Sequence, residues 1–186
     1  MIPLERSRVR GRKSLERFGS NAAFALTLPA MMSSTVGHAQ DREGCGGVGE
    51  PCNVELGTSH VQAPEPSQAK GQAVLFFRSY GGSGSVVLRN DRVTGALNAA
   101  GYTVLAPNGL EGPNGQSGWS FIPGRPERRD ELAFASQVLD DAERRLGIDR
   151  GRVLVAGFSI GGSLTWHLAY RDPLPGRTFA PVSGAF

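Results

Sequence analysis

Residues 153–170 read VLVAGFSIGGSLTWHLAY. The apolar run VLVA leads into Gly157-Phe158-Ser159-Ile160-Gly161, and a helical pattern follows. A G-x-S-x-G pentapeptide between a buried strand and a helix places its serine at the tip of a sharp turn, in a strained backbone conformation. The small residues two before and two after it leave room for the neighbouring strand and helix, and here they are Gly157 and Gly161. Helix starts carry free N–H groups, so the amide of Ile160 is placed to hold a negative oxygen near the Ser159 hydroxyl. A serine is a weak nucleophile until a base takes its proton. That base has to come from elsewhere in the fold.

Upstream, strands and helices alternate. AVLFF (73–77) is an unbroken apolar run, the pattern of a strand covered on both faces. A loop with Gly81, Gly82 and Gly84 follows, then a helix over 87–100 with Val93, Leu97 and Ala100 on one face and Gly101 as its stop. YTVLAP (102–107) is a second buried strand, followed by a Gly/Asn/Pro-rich loop from Asn108 to about Pro126. A helix from about Arg128 to Leu146 presents Leu132, Ala135, Val138, Leu139, Ala142 and Leu146, and Gly147 ends it. RVLVAGF (152–158) is the third strand, the helix after Ser159 runs to about Arg171, and TFAPVSG (178–184) is the fourth strand. Within the Gly-, Pro- and Gln-rich stretch 40–72, CNVELGTSHVQAP predicts one or two edge strands. This order predicts an open, mostly parallel sheet with helices on both faces. Ligand sites in such sheets lie at the carboxyl ends of the strands, here at loops 78–85 and 108–126 and at the Ser159 turn.

Charge excludes some functions. The net charge of +3 comes from the N-terminus, where Arg6, Arg8, Arg10, Arg12, Lys13 and Arg17 face only Glu5 and Glu16. From residue 40 onward acidic and basic residues nearly balance, so no basic face argues for nucleic acid. The cationic segment, the apolar stretch NAAFALTLPAMMSSTVG and the small residues Gly37 and Ala39 before Gln40 read as a secretory signal peptide over 1–39. A basic arm that stays attached is the competing reading. The apolar core is short and broken by Pro29, which argues against a stable membrane anchor. A secreted or periplasmic protein is expected. Cys45 and Cys52 bracket GGVGEP, and export favours a disulfide over free thiols there.

CGGVGEPC, YGGSG, AAGYTVLAPNGL, GWSF, RDELAF, GIDRGRVLVAGFSIGGSLTWHLA and FAPVSGAF together resemble the exported polyhydroxybutyrate-depolymerase-like esterases of the α/β-hydrolase superfamily. The resemblance covers residues 45–186. It implies a secreted ester hydrolase acting through a Ser-His-Asp triad and an acyl-enzyme, with no metal and no cofactor. The implied substrates are small acyl esters or a polyester. By position, Ser159 is the nucleophile, the N–H groups of Ile160 and Tyr80 are the oxyanion donors, and Trp119 lines the acyl pocket or belongs to the core. The family's His-Gly before the position of Tyr80 is replaced here by Arg78-Ser79. Serine resists a backbone turn that glycine permits, and a buried Arg78 needs a partner or solvent. Asn108 stands where related chains carry Asp, and it still supports a turn.

The base is the missing piece. In this superfamily the acid and then the histidine follow the serine, but only 27 residues follow Ser159. His38 falls in the expected signal peptide, and His60 precedes the core strands as an exposed or half-buried strand residue. His167 lies eight positions along the helix after Ser159, about 12 Å from the serine along the axis. A base must come within about 3 Å. Asp172 lies farther along the same helix and is expected to be solvated or to help end it. No metal-binding H-E-x-x-H is present, and GGSG (81–84) lacks the following Lys or Thr of a phosphate loop. The expectation is an α/β-hydrolase domain over 73–186 that is incomplete at its C-terminal side, preceded by an extension over 40–72. Its triad partners would be encoded outside it, and the chain alone would be inactive. A truncated, non-catalytic remnant and a feruloyl or acetyl esterase of the same architecture are the alternatives.

Overall fold

The computed structural model describes residues 45–171 and 177–185. The expected signal peptide with His38, and Asp172, lie outside the described residues. In chain order the elements are β1 (Cys52–Val54), β2 (Gly57–Gln62), β3 (Gln72–Phe77), α1 (Gly84–Leu88), α2 (Asp91–Ala99), β4 (Tyr102–Pro107), β5 (Leu110–Glu111), β6 (Ser117–Gly118), α3 (Glu131–Leu146), β7 (Val153–Phe158), α4 (Ile160–Arg171) and β8 (Thr178–Val182).

The continuous apolar runs form the centre of a six-stranded sheet in the order β1-β2-β4-β3-β7-β8. Strands β4, β3, β7 and β8 are parallel, with Leu75 opposite both Leu105 and Val155. Alternate residues of these strands feed two separate cores. Ala73, Leu75, Phe77, Leu105 and Val155 pack with Phe134, Val138 and Leu139 of α3 and Leu164 and Leu168 of α4. Val104 and Ala106 face the other way and are covered by Leu88 and Leu97 of α1 and α2. Helices therefore cover both faces, as the alternation of elements predicts.

Three expectations are corrected. Of the two early strands only β1 is an edge; β2 lies inside the sheet, antiparallel to β1 on one side and to β4 on the other. As a result His60 is buried, 5% exposed, with Nδ1 3.1 Å from the Gly47 carbonyl oxygen. The helix expected over 87–100 is two helices, and Val93 is exposed. The buried position is Thr94, whose hydroxyl donates to the Val87 carbonyl at 3.0 Å. Asn98 holds the same face by donating to the carbonyls of Gln62 and Tyr102 at 3.2 and 2.9 Å. A polar side chain is cheap to bury once its partners are supplied, and apolar periodicity does not register it.

Helix α3 starts three residues later than its apolar pattern allows, because Asp130 caps it. The Asp130 carboxylate accepts the N–H groups of Leu132 and Ala133 at 2.9 and 3.0 Å. Gly147 closes the helix in the left-handed conformation, φ +68°. Cys45 and Cys52 are joined by a disulfide, with Cα atoms 4.8 Å apart. It ties the first described residue to β1, whose neighbouring turn is held where the Leu56 N–H donates to Gln137 of α3 at 2.9 Å.

Candidate active site

Strand β7 ends at Phe158, α4 begins at Ile160, and Ser159 alone makes the turn. Its φ is +56°, in the left-handed region that serine seldom adopts. Two contacts enforce this. A Cβ on Gly157 would stand 2.2 Å from the Gly161 carbonyl oxygen, and one on Gly161 would stand 2.1 Å from the carbonyl oxygen of Phe77. The strand, the turn and the end of β3 are thus in backbone-to-backbone contact, which only glycine permits. The Ser159 N–H donates to the Val182 carbonyl of β8 at 2.9 Å, and the Ser159 carbonyl accepts from Ser163 N–H at 3.0 Å. The Ile160 N–H, in the first turn of α4, has no intrahelical acceptor.

The loop after β3 packs on this helix start. The Arg78 carbonyl oxygen would lie 2.5 Å from a Gly161 Cβ, and Tyr80 follows two residues on. Tyr80, Trp119 and Ile160 share the wall of one open cavity of about 430 Å³. Trp119 belongs to the core and also reaches this cavity. It is 6% exposed, meets Phe77 edge-to-face at 5.2 Å, and still reaches the cavity. Its indole N–H donates to the Arg78 carbonyl at 3.0 Å, so it also fixes the loop. The Tyr80 ring lies over Gly118, and its hydroxyl is hydrogen-bonded to Asn114.

The Arg78-Ser79 pair is accommodated without a left-handed turn. Among the described residues only Ser159 and Ser183 combine a side chain with positive φ, so Ser79 carries no such strain. Arg78 is 5% exposed, and its guanidinium donates to Ser117 Oγ at 2.6 Å and to the Ser79 carbonyl. Nε has no partner, and no carboxylate faces the group among the described residues. Burial accordingly pulls the Arg78 guanidinium below its ordinary pKa.

Some supporting residues escaped the sequence reading. Asn108 is a junction rather than a simple turn residue. Its side chain accepts from Gly84 N–H at 2.6 Å and donates to Thr58 Oγ1 at 2.9 Å, joining α1, β2 and the end of β4. Arg129 and Glu131 form a buried ion pair at 2.8 Å, with Arg129 stacked 3.8 Å over the Phe134 ring. Glu131 also accepts Ser120 N–H at 2.7 Å, which anchors the segment carrying Trp119. Burial pushes the Glu131 carboxyl up, against the opposing pull of Arg129. The acid-basic-acid string around RDE contains these residues, but their pairing depends on the fold.

Neither described histidine is hydrogen-bonded to Ser159. His60 sits on β2 against Gly47, and His167 packs on Phe121, ring centroids 5.3 Å apart. Desolvation, then the charge of Arg171, hold His167 below its ordinary pKa, with Glu127 and Asp130 opposing. Among the described residues no group of three or more His, Cys, Asp or Glu gathers to hold a metal ion, and no helix is long and apolar enough to cross a membrane.

The same architecture recurs in known proteins. A phospholipase/carboxylesterase from Dyadobacter fermentans superposes with a TM-score of 0.51 at 20% identity, over 69% of this chain and 60% of that one. The S-formylglutathione hydrolase FrmB from Staphylococcus aureus superposes with a TM-score of 0.53 at 15% identity, over 73% of this chain and 56% of that one. The chain has the α/β-hydrolase fold. In sequence the chain is 27% identical over 125 residues to the bifunctional acetylxylan esterase/xylanase XynS20E of Neocallimastix patriciarum, covering 67% of this chain and 17% of that protein. No protein-family profile matches it. It spans about a third or less of the length of the curated relatives it matches.

Proposed function

We propose that the chain carries the nucleophile-bearing part of an exported serine ester hydrolase, resembling the polyhydroxybutyrate depolymerases. The observation that carries this reading is Ser159 alone at φ +56° between a buried strand and a helix, with Gly157 and Gly161 forced by contact. In the proposed reaction Ser159 Oγ attacks the ester carbonyl carbon as its proton passes to a histidine. The carbonyl oxygen becomes an oxyanion held by the N–H groups of Ile160 and Tyr80. Collapse expels the alcohol, which takes the proton from the histidine and leaves an acyl-serine. Water, deprotonated by the same histidine, then releases the acid and restores Ser159.

The histidine and its carboxylate partner come from outside the described residues, because His60 and His167 are engaged elsewhere. The chain alone is therefore expected to turn over p-nitrophenyl butyrate negligibly. Added imidazole, a diffusible base, should raise its turnover above that of Ser159→Ala under the same imidazole. Ready turnover without imidazole, abolished by Ser159→Ala, would show that the base is already in the chain. Equal rates for both proteins at every imidazole concentration would remove Ser159 as nucleophile. The likeness to an acetylxylan esterase favours a second substrate reading, acetyl or feruloyl esters of plant polysaccharide, on the same serine.

A further inference from the structure

The cavity beside Ile160 has an unusual charge balance. Arg125 and Arg128 stand on its rim, and no acidic side chain lines it. Neither arginine is in an ion pair among the described residues. Arg128 donates at 2.9 Å to the Glu111 carbonyl, a neutral acceptor. A Glu111 carboxylate oxygen lies 4.0 Å from where a Gly115 Cβ would stand, and neither Glu111 nor Glu127 lines the cavity. Behind the cavity wall lies a third cation. The Arg78 guanidinium is 5.8 Å from the centroid of the Trp119 ring, buried, with neutral acceptors only and an orphaned Nε. Arg129 stands at a similar distance from the same ring, 5.9 Å, but is paired with Glu131. The fold thus compensates one of the two cations near this indole and leaves the other without a carboxylate partner, close to a cavity lined by two more. Buried charge is normally paired, and an uncompensated one favours a ligand that brings the missing charge.

We propose that this cavity binds acyl esters carrying a carboxylate away from the scissile bond, contacted by Arg125 and Arg128 and favoured by the field of Arg78. That the ligand is an ester rests on the reading of Ser159 as nucleophile; the preference for an anion does not. Monomethyl succinate and dimethyl succinate differ by one masked carboxylate and serve as probes. Their binding is followed by NMR at the Trp119 indole N–H, assigned through its loss in Trp119→Phe.

The expected result is that monomethyl succinate binds at least about ten-fold more tightly than dimethyl succinate, with the advantage shrinking as salt rises from about 0.02 to about 0.3 M. Arg125→Gln/Arg128→Gln, at exposed positions, should abolish the preference while leaving the amide spectrum folded. Ser159→Ala should retain it. Equal affinity for the two probes, or an anion preference that survives in the double variant, overturns the proposal. Failure of the imidazole experiment leaves this measurement unchanged, so the two readings fail separately.

Discussion

Replacing Ser159 by glycine and by alanine measures the strain at the turn directly. At φ +56° a residue with a Cβ sits about 1–2 kcal/mol above its relaxed backbone. Alanine keeps that cost, and because the Ser159 hydroxyl has no hydrogen-bond partner among the described residues, it forfeits no hydrogen bond. Glycine removes the cost but gains freedom in the unfolded chain, which opposes it by about 0.4–1 kcal/mol. The balance leaves Ser159→Gly more stable than Ser159→Ala by about 1 kcal/mol. That is about 2–4 °C in Tm for a chain of this size. Urea unfolding followed by circular dichroism, with equal m-values for the two variants, gives the difference. In a helix interior the sign is opposite, glycine being the less stable. A Ser159→Gly variant that unfolds before Ser159→Ala would mean that the serine is not held in the left-handed region, and the argument for a poised nucleophile would go with it.

Two further outcomes follow from the same geometry. Gly161→Ala drives a methyl group into the carbonyl oxygens of Phe77 and Arg78. It should cost at least about 1–3 kcal/mol by urea unfolding, and an unchanged midpoint would contradict the contact. His167 has a folded pKa below its ordinary value, so the folded state binds its proton less readily than the unfolded state. Its contribution to stability is complete above the ordinary histidine pKa and is lost as pH falls through the lower folded value. His167→Gln should flatten the unfolding midpoint between about pH 7 and about pH 5, whereas an identical slope in both proteins would refute the assignment.

The parts of the fold legible from sequence are those set by short-range rules. The strand at 102–107 has the predicted bounds because an apolar run is closed by Gly101 before it and Asn108-Gly109 after it. The Ser159 turn was legible because close backbone contact demands glycine at two fixed spacings. What escaped depends on partners far away in sequence. Thr94 looks like a surface residue until Val87 accepts its hydroxyl. His60 is buried because β2 inserts between β1 and β4, a pairing with residues more than forty positions away that no local pattern announces. Arg129 lies beside Glu131 in sequence, yet its burial depends on Leu56, Asn108 and the Phe134 ring. Tyr80, Trp119 and Ile160 stand far apart in sequence, and the fold gathers them on one wall.

The single hydrogen bond from Ser159 N–H to the Val182 carbonyl makes the nucleophile's posture a property of β8 as well as of its own turn. Strand β8 is the last of the sheet among the described residues, and its far edge presents unpaired backbone. A strand docking on that edge would straighten or twist β8, and the displacement would reach the serine through one peptide unit. The turn is therefore coupled to β8: a shift of that strand's backbone at Val182 would change the aim of the hydroxyl.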